Sequence, residues 1–415
     1  MQKPAPRPEP RKAAVAFIFT LVLLDVIALG IVIPVLPKLV ESMVGETARG
    51  AEIFGLFGTA WALMQFLCSP LLGALSDRFG RRPVLLISMA GHGLDYILMA
   101  LAPNLLLLFV GRIISGITAA SFGTAYAYIA DVTGPERRAQ GFGVVGAAFG
   151  VGFVLGPALG GILGAYDPRL PFWVAAGFSL ANAAYGYLFV PESLPPERRM
   201  AFSWVRANPV GALKLLSRRP ALIGLAGVTF LHQLAHASLP AIAVLYTSYR
   251  YGWDSQMMGL SLAAIGVMSG VVQGTLIKPI VALIGERRTQ LAGLLFGALG
   301  FAIYGMATTS LEFWAGIPVM ALWGVAGAAT QAMMSRLVTA SEQGQLQGAN
   351  SSIMAVAGLI GPGLFSFTFA WSIAGGAASP LPGLAFLLAA ALLVMGAALA
   401  WQVTRGTPVG GAGAD

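Results

Sequence analysis

Twelve times between residues 14 and 403 the sequence runs apolar for long enough to cross a bilayer. A crossing helix needs about 20 mostly apolar residues. Breaks at charges, prolines and glycine clusters place the spans at 14–37, 52–75, 83–102, 105–130, 140–164 and 171–191. After a polar stretch they resume at 220–247, 256–284, 289–308, 313–336, 346–372 and 381–403. The runs are continuous rather than alternating with period two, so helices are expected and not a barrel. Only 10% of the residues are charged, against about 25% in soluble domains. The chain is that of a polytopic membrane protein.

Lysine and arginine orient the spans. With the N-terminus inside, 20 of the 25 fall on inner segments and four (Lys38, Arg49, Arg169 and Arg250) on outer ones. Arg112 lies within a span. The expected layout is a cytoplasmic tail (1–13), a six-helix bundle (14–191), a cytoplasmic linker (192–219), a second six-helix bundle (220–403) and a cytoplasmic tail (404–415). The net charge of +8 then reflects basic inner loops, and no nucleic-acid partner is expected. The opening MQKPAPRPEPRKAA is like a signal-peptide n-region. The apolar run after it is too long for an h-region and lacks a small-residue cleavage site, so a retained first span is expected. Cys68, the only cysteine, excludes an intramolecular disulfide and any multi-cysteine metal site. It is expected to pack.

The two halves repeat at an offset of 205 residues. Gly80 of GRR answers to Gly285 of GERR, Pro157 to Pro362, Gln140 to Gln345 and Gly143 to Gly348. Two pseudo-symmetric bundles follow, related by an axis along the membrane normal. Transporters of this build bind substrate near mid-membrane between the halves.

The stretch GALSDRFGRRP, Gly73 to Pro83, joins spans 2 and 3. Gly73 permits close helix packing, and Gly80 can take the positive φ of a tight reversal. Asp77 can cap a helix or pair with an arginine. Arg78, Arg81 and Arg82 anchor the loop inside. This stretch resembles the signature loop of the major facilitator superfamily. GVGFVLGPALGG, with Gly152, Gly156, Pro157, Gly160 and Gly161, resembles the span 5 motif of its drug:proton antiporters. LLDVIALGIVIPVLPKL, GLDYILMA, GRIISGIT, RYGWDSQMMGLSLAAIGVM and SEQGQLQG are similar to segments of the tetracycline-efflux family, in order and over most of the chain. The resemblance implies an all-α major facilitator fold of twelve transmembrane helices.

Three charged residues are embedded in the first half: Asp25, Asp95 and Arg112. Desolvation penalises a carboxylate's charged form, and a group that alternately holds and releases a proton is what an antiporter needs. The resemblance implies proton coupling by these three residues. His92 lies three residues before Asp95, on the same helix face. His232 and His236 stand at i, i+4 in span 7. That spacing suits a metal only with further ligands, none is evident nearby, and no metal site is expected. Gln65, His92, His232, His236, Ser269 and Gln273 are candidates for the substrate cavity. Trp61, Phe66, Tyr126 and Met268 could supply apolar wall or simply pack.

The second half departs from the family pattern. Ser269 stands where the tetracycline exporters carry a histidine, and Gly297 where they carry an embedded aspartate. No nucleotide-binding loop and no nucleophile–His–acid constellation is evident, so no enzyme, catalytic residue or cofactor is expected. The resemblance implies a monomeric proton-driven antiporter of the bacterial inner membrane, exporting a tetracycline-like or other amphiphilic compound. A symporter or facilitator for a polar solute is the alternative, and a receptor that has lost transport is a third.

Overall fold

The computed structural model describes residues 12–119, 122–133, 138–200, 216, 220–339, 342–375 and 381–405. Most of the expected tails and linker lies outside these residues, with Lys3, Arg7, Arg11, Arg137, Arg206, Lys214, Arg218 and Arg219. So do the side chains of Lys12, Arg138 and Gln140. The chain forms two compact units, residues 1–32 with 64–208 and residues 33–63 with 209–415. Residues 33–63 pack with the second unit.

The first unit contains α1 (Lys12–Val32), whose chain continues through α2 (Leu36–Val44) into α3 (Thr47–Phe79). The part of α3 from Met64 onward belongs to this unit. There follow α4 (Arg81–Leu101), α5 (Leu105–Thr118), α6 (Phe122–Val132), α7 (Arg138–Tyr166) and α8 (Leu170–Phe189). The second unit contains α2, the start of α3, α9 (Pro220–His236), α10 (Ser238–Tyr251), α11 (Ser255–Val271) and α12 (Ile277–Met306). It is completed by α13 (Ser310–Ala321), α14 (Gly324–Arg336), α15 (Gln343–Ile373) and α16 (Leu384–Val403).

Ten stretches among the described residues are long and apolar enough to cross a membrane. One of them, Ser255–Met306, is 52 residues long and holds two spans, because Gly285 breaks the helix with φ +76°. The remaining span is α8, which is diluted by the buried Ser179 and Asn182. Twelve spans result. The first, seventh and tenth are each built from two helices, α1–α2, α9–α10 and α13–α14. Span 8 carries a π-helical turn, Val272–Leu276, an irregularity that frequently marks functional sites.

Glycines set the closest helix approach in the first unit. On α7, Gly152, Gly156 and Gly160 line one face against α1. A Cβ on Gly156 would lie 2.7 Å from the Cα of Gly30, and one on Gly152 would lie 2.8 Å from the Cβ of Val26. A Cβ on Gly160 would strike the Ile31 carbonyl. Gly161 is buried beside them. In hydrocarbon there is little hydrophobic gain between helices, so such small-residue faces supply the association through van der Waals packing. In the second unit Tyr304 stacks on Phe313 at 4.0 Å, and the Tyr246 hydroxyl donates to the Tyr304 carbonyl at 2.9 Å. Gly55 and Gly58 of α3 make room for Ser366 and Pro362 of α15. Lys38 of α2 donates to the Ser248 hydroxyl and, at 3.0 Å, to the Trp253 carbonyl. These contacts hold 33–63 in the second unit.

Overpacking a tight site typically costs about 1–3 kcal/mol. Gly156→Val is therefore expected to lower thermal stability in detergent by about that amount. Gly150→Val on the same helix meets nothing within 4 Å and is expected to leave the unfolding midpoint unchanged.

Candidate functional site

The first unit gathers its embedded charges into one cluster. Asp25 comes from α1, His92, Asp95 and Tyr96 from α4, and Arg112 and Ser115 from α5. Asp25, His92 and Asp95 are 5%, 3% and 1% exposed. His92 Nδ1 lies 3.3 Å from Asp25 Oδ1. The hydrogen-bonding roles of the imidazole depend on its tautomer. The sequence suggests His92 for the substrate cavity, but it is closed off and engaged with an acid 67 residues away. Asp95 lies one helical turn beyond, and Gly111 makes the space for it. A Cβ at Gly111 would sit 2.9 Å from Asp95 Oδ1. Arg112, next in sequence, is close enough for its charge to act on Asp95. The buried Ser115 closes the group.

The charge count of this cluster is instructive. Two carboxylates and one guanidinium leave one net negative charge when His92 is neutral. One added proton, on the imidazole or on either acid, brings the sum to zero. The four groups act on one another electrostatically, so the cluster is one coupled unit rather than four separate residues.

At the end of α3 the signature loop is tied down. Gly80 takes φ +108°, as its sequence position requires. Arg81 pairs with Asp77 at 2.5 Å and, through Nε, with Asp131 at 3.1 Å. The Arg81 backbone N–H donates to Glu192 Oε1 at 2.9 Å, and that of Arg82 donates to Oε2 at 3.3 Å. Arg82 lies over the Tyr187 ring and donates to the Tyr187 carbonyl. Arg78 lies over Phe79. Gly73 has open space at its Cβ position, so no close helix approach depends on it here. Sequence reasoning missed Asp131 and Glu192. Their signal was an acid at the C-terminal end of spans 4 and 6, on the same side as a loop with three arginines.

The repeat recurs in this network with reversed charge. At the 205-residue offset Arg81 answers to Glu286 and Asp131 to Arg336. Glu286 and Arg336 form an ion pair at 2.7 Å. The pair is retained while its polarity is inverted.

The second unit holds a different polar group. His232 and His236 project from α9 toward Trp323, between α13 and α14, with ring centroids 4.6 and 5.7 Å away. Trp323 Nε1–H donates to His232 Nδ1 at 3.1 Å. A neutral His232 therefore carries its proton on Nε2, the nitrogen 3.8 Å from a Cβ position on Gly327. Gln273, exposed in the π turn, lies beside Gly324. Ser269 is half-buried on α11 and joins no hydrogen bond of this group. The indole fills the space beside Gly297. A Cβ on Gly297 would lie 2.6 Å from Trp323 Cγ and 2.7 Å from Leu393 Cδ1. No group of three His, Cys, Asp or Glu side chains assembles as a metal site among the described residues. Gln65, on α3 in the first unit, is half-buried.

The chain matches the Major Facilitator Superfamily model over residues 15–362. The class C tetracycline resistance protein of Escherichia coli is 39% identical over 389 residues, covering 92% of this chain and 95% of that protein. The class G protein of Vibrio anguillarum is 38% identical over 357 residues, covering 85% and 89%. The crystal structure of the human organic anion transporter MFSD10 (TETRAN) matches with a TM-score of 0.69 at 26% identity, covering 95% of this chain and 100% of that one. The relatives and the fold are those of transporters, not enzymes.

The packing of Trp323 against Gly297 gives a reciprocal expectation. Gly297→Asp inserts a polar branch against buried indole and leucine, and is expected to destabilise by more than about 2 kcal/mol. Combining it with Trp323→Ala is expected to cost less than the sum of the single changes by at least about 1 kcal/mol. Thermal unfolding of the three variants in detergent measures the coupling.

Proposed function

The chain belongs to the major facilitator superfamily, with the tetracycline resistance proteins among its relatives, and on that premise we propose that it is a proton-coupled antiporter. It exports a tetracycline-like or other amphiphilic compound across a bacterial inner membrane, works as a monomer and holds both termini in the cytoplasm. The observation that carries this reading is the buried cluster of Asp25, His92, Asp95 and Arg112. Counted with both carboxylates ionised it is one proton short of neutrality, which gives it a place for one exchangeable proton. Access from the inner side, with substrate present, opens that place to exchange. The proton then leaves as substrate binds, and the gradient restores it from outside. No cofactor takes part.

The substrate contacts in the second unit come from His232, His236, Gln273 and Trp323. They offer aromatic faces and neutral hydrogen-bonding groups, without the acid at 297 or the histidine at 269 of the family pattern. A planar amphiphile with hydrogen-bonding edges suits them. Tetracycline itself is one candidate of this class. Asp77, Arg78, Gly80, Arg81 and Arg82, with Glu192 and Asp131, act as the inner gate. Gly152, Gly156, Pro157 and Gly160 give the helix pair α1–α7 the rigidity that a rocking motion needs.

Proteoliposomes with an imposed pH gradient test the reading against a compound panel that includes tetracycline. Substrate is expected to move against the proton flow, and adding it to purified protein is expected to release protons. Asp25→Asn and Asp95→Asn are each expected to abolish gradient-driven transport. His92→Gln is expected to lower the number of protons released per substrate. Movement of substrate with the proton flow would instead establish symport.

A further inference from the structure

The turn that follows span 8 is the repeat of the signature loop, and it is electrically different. In the first unit three carboxylates surround the turn: Asp77 and Asp131 pair with Arg81, and Glu192 accepts from the Arg81 and Arg82 backbone N–H groups. In the second unit Glu286 is taken by Arg336, and Arg287, Arg288 and Arg405 remain. None of these three makes an ion pair among the described residues.

Their arrangement concentrates the surplus. Arg287 and Arg405 each lie 4.8 Å from the centroid of the same ring, that of Trp401 at the end of α16. Two guanidinium groups held on one indole repel each other unless an anion stands between or beside them. Arg287 is also fixed by its Nε–H, which donates to the Thr404 hydroxyl at 3.0 Å. A cleft of about 390 Å³ opens here, lined by Ile284, Gly285, Arg287, Arg288, Leu291 and Trp401. At the 205-residue offset Arg287 answers to Arg82, which lies over Tyr187 as Arg287 lies over Trp401. In the first unit the neighbouring anion is the Glu192 carboxylate. No carboxylate among the described residues takes that part in the second.

We propose that this cleft binds the phosphate of an anionic phospholipid. Guanidinium groups match phosphate oxygens through paired N–H donors. The apolar half of the ligand has its own surface, because Leu283 is 84% exposed beside the turn and Trp401 is 45% exposed. Ile284 and Leu291 line the same cleft. A basic pocket flanked by membrane-facing leucine and tryptophan suits a headgroup with acyl chains, whereas a soluble phosphate would use only the arginines. The site is distinct from the embedded polar groups of both units, and its occupancy does not depend on the direction of transport.

Native mass spectrometry of the purified full chain tests this. Phosphatidylglycerol and phosphatidylcholine with the same acyl chains are titrated against the protein and against Arg287→Gln/Arg288→Gln. Preferential retention of phosphatidylglycerol is expected, with its affinity falling by about fivefold for each arginine removed. Equal retention of the two lipids, or a preference unchanged in the variant, overturns the proposal. Displacement of phosphatidylglycerol by millimolar inorganic phosphate assigns the site to a soluble anion and overturns the lipid assignment. A second measurement needs no arginine variant. The Trp401 fluorescence, taken as the difference between the native chain and Trp401→Phe, is expected to be quenched by brominated phosphatidylglycerol more than by brominated phosphatidylcholine. Equal quenching also overturns the proposal.

Discussion

Hydrocarbon does not solvate charge, and every polar group in these spans must find its partner inside the protein. That constraint makes the chain helical, and it also explains the Asp25–His92–Asp95–Arg112 group. Two acids on separate helices are tolerable because an imidazole and a guanidinium stand among them. The cluster needs α1, α4 and α5 at close range. Gly111 gives Asp95 its space, while the glycine face of α7 holds α1 in register. The buried cluster and the packing of its helices therefore depend on the same kind of small residue.

Outside the hydrocarbon the same rule is looser, and the turns at Gly80 and Gly285 show it. Gly80 and Gly285 both take positive φ, so the backbone reversal is retained through the repeat. The ion pair behind each turn is retained too, with Arg81–Asp131 answered by Glu286–Arg336. Coulomb attraction is indifferent to which partner carries which sign, so the reversal leaves the pair intact. What differs is the surroundings, where the second turn lacks a counterpart to Glu192 and gains a positive surplus.

Beside Gly297 the second unit is filled by packing rather than by charge. Trp323 occupies the space beside Gly297 and engages His232 through its N–H. A buried indole needs only one hydrogen-bond acceptor, a smaller demand than that of a carboxylate.

The sequence by itself determined the spans, the repeat, the reversal at Gly80 and the embedded Asp25, Asp95 and Arg112. These are local properties. Apolar length is counted along the chain, a charge within an apolar run is visible wherever it occurs, and a tight turn needs glycine regardless of its neighbours. Only the tertiary structure decided the partners. His92 belongs with Asp25 across 67 residues, Arg81 with Asp131 and Glu192, and Trp323 with His232. It also decided that 33–63 packs with the second unit. Such pairings depend on how far each helix is rotated and how closely its axis approaches the next. Those quantities are set by many side chains acting together across the interface, and helical periodicity alone does not contain them.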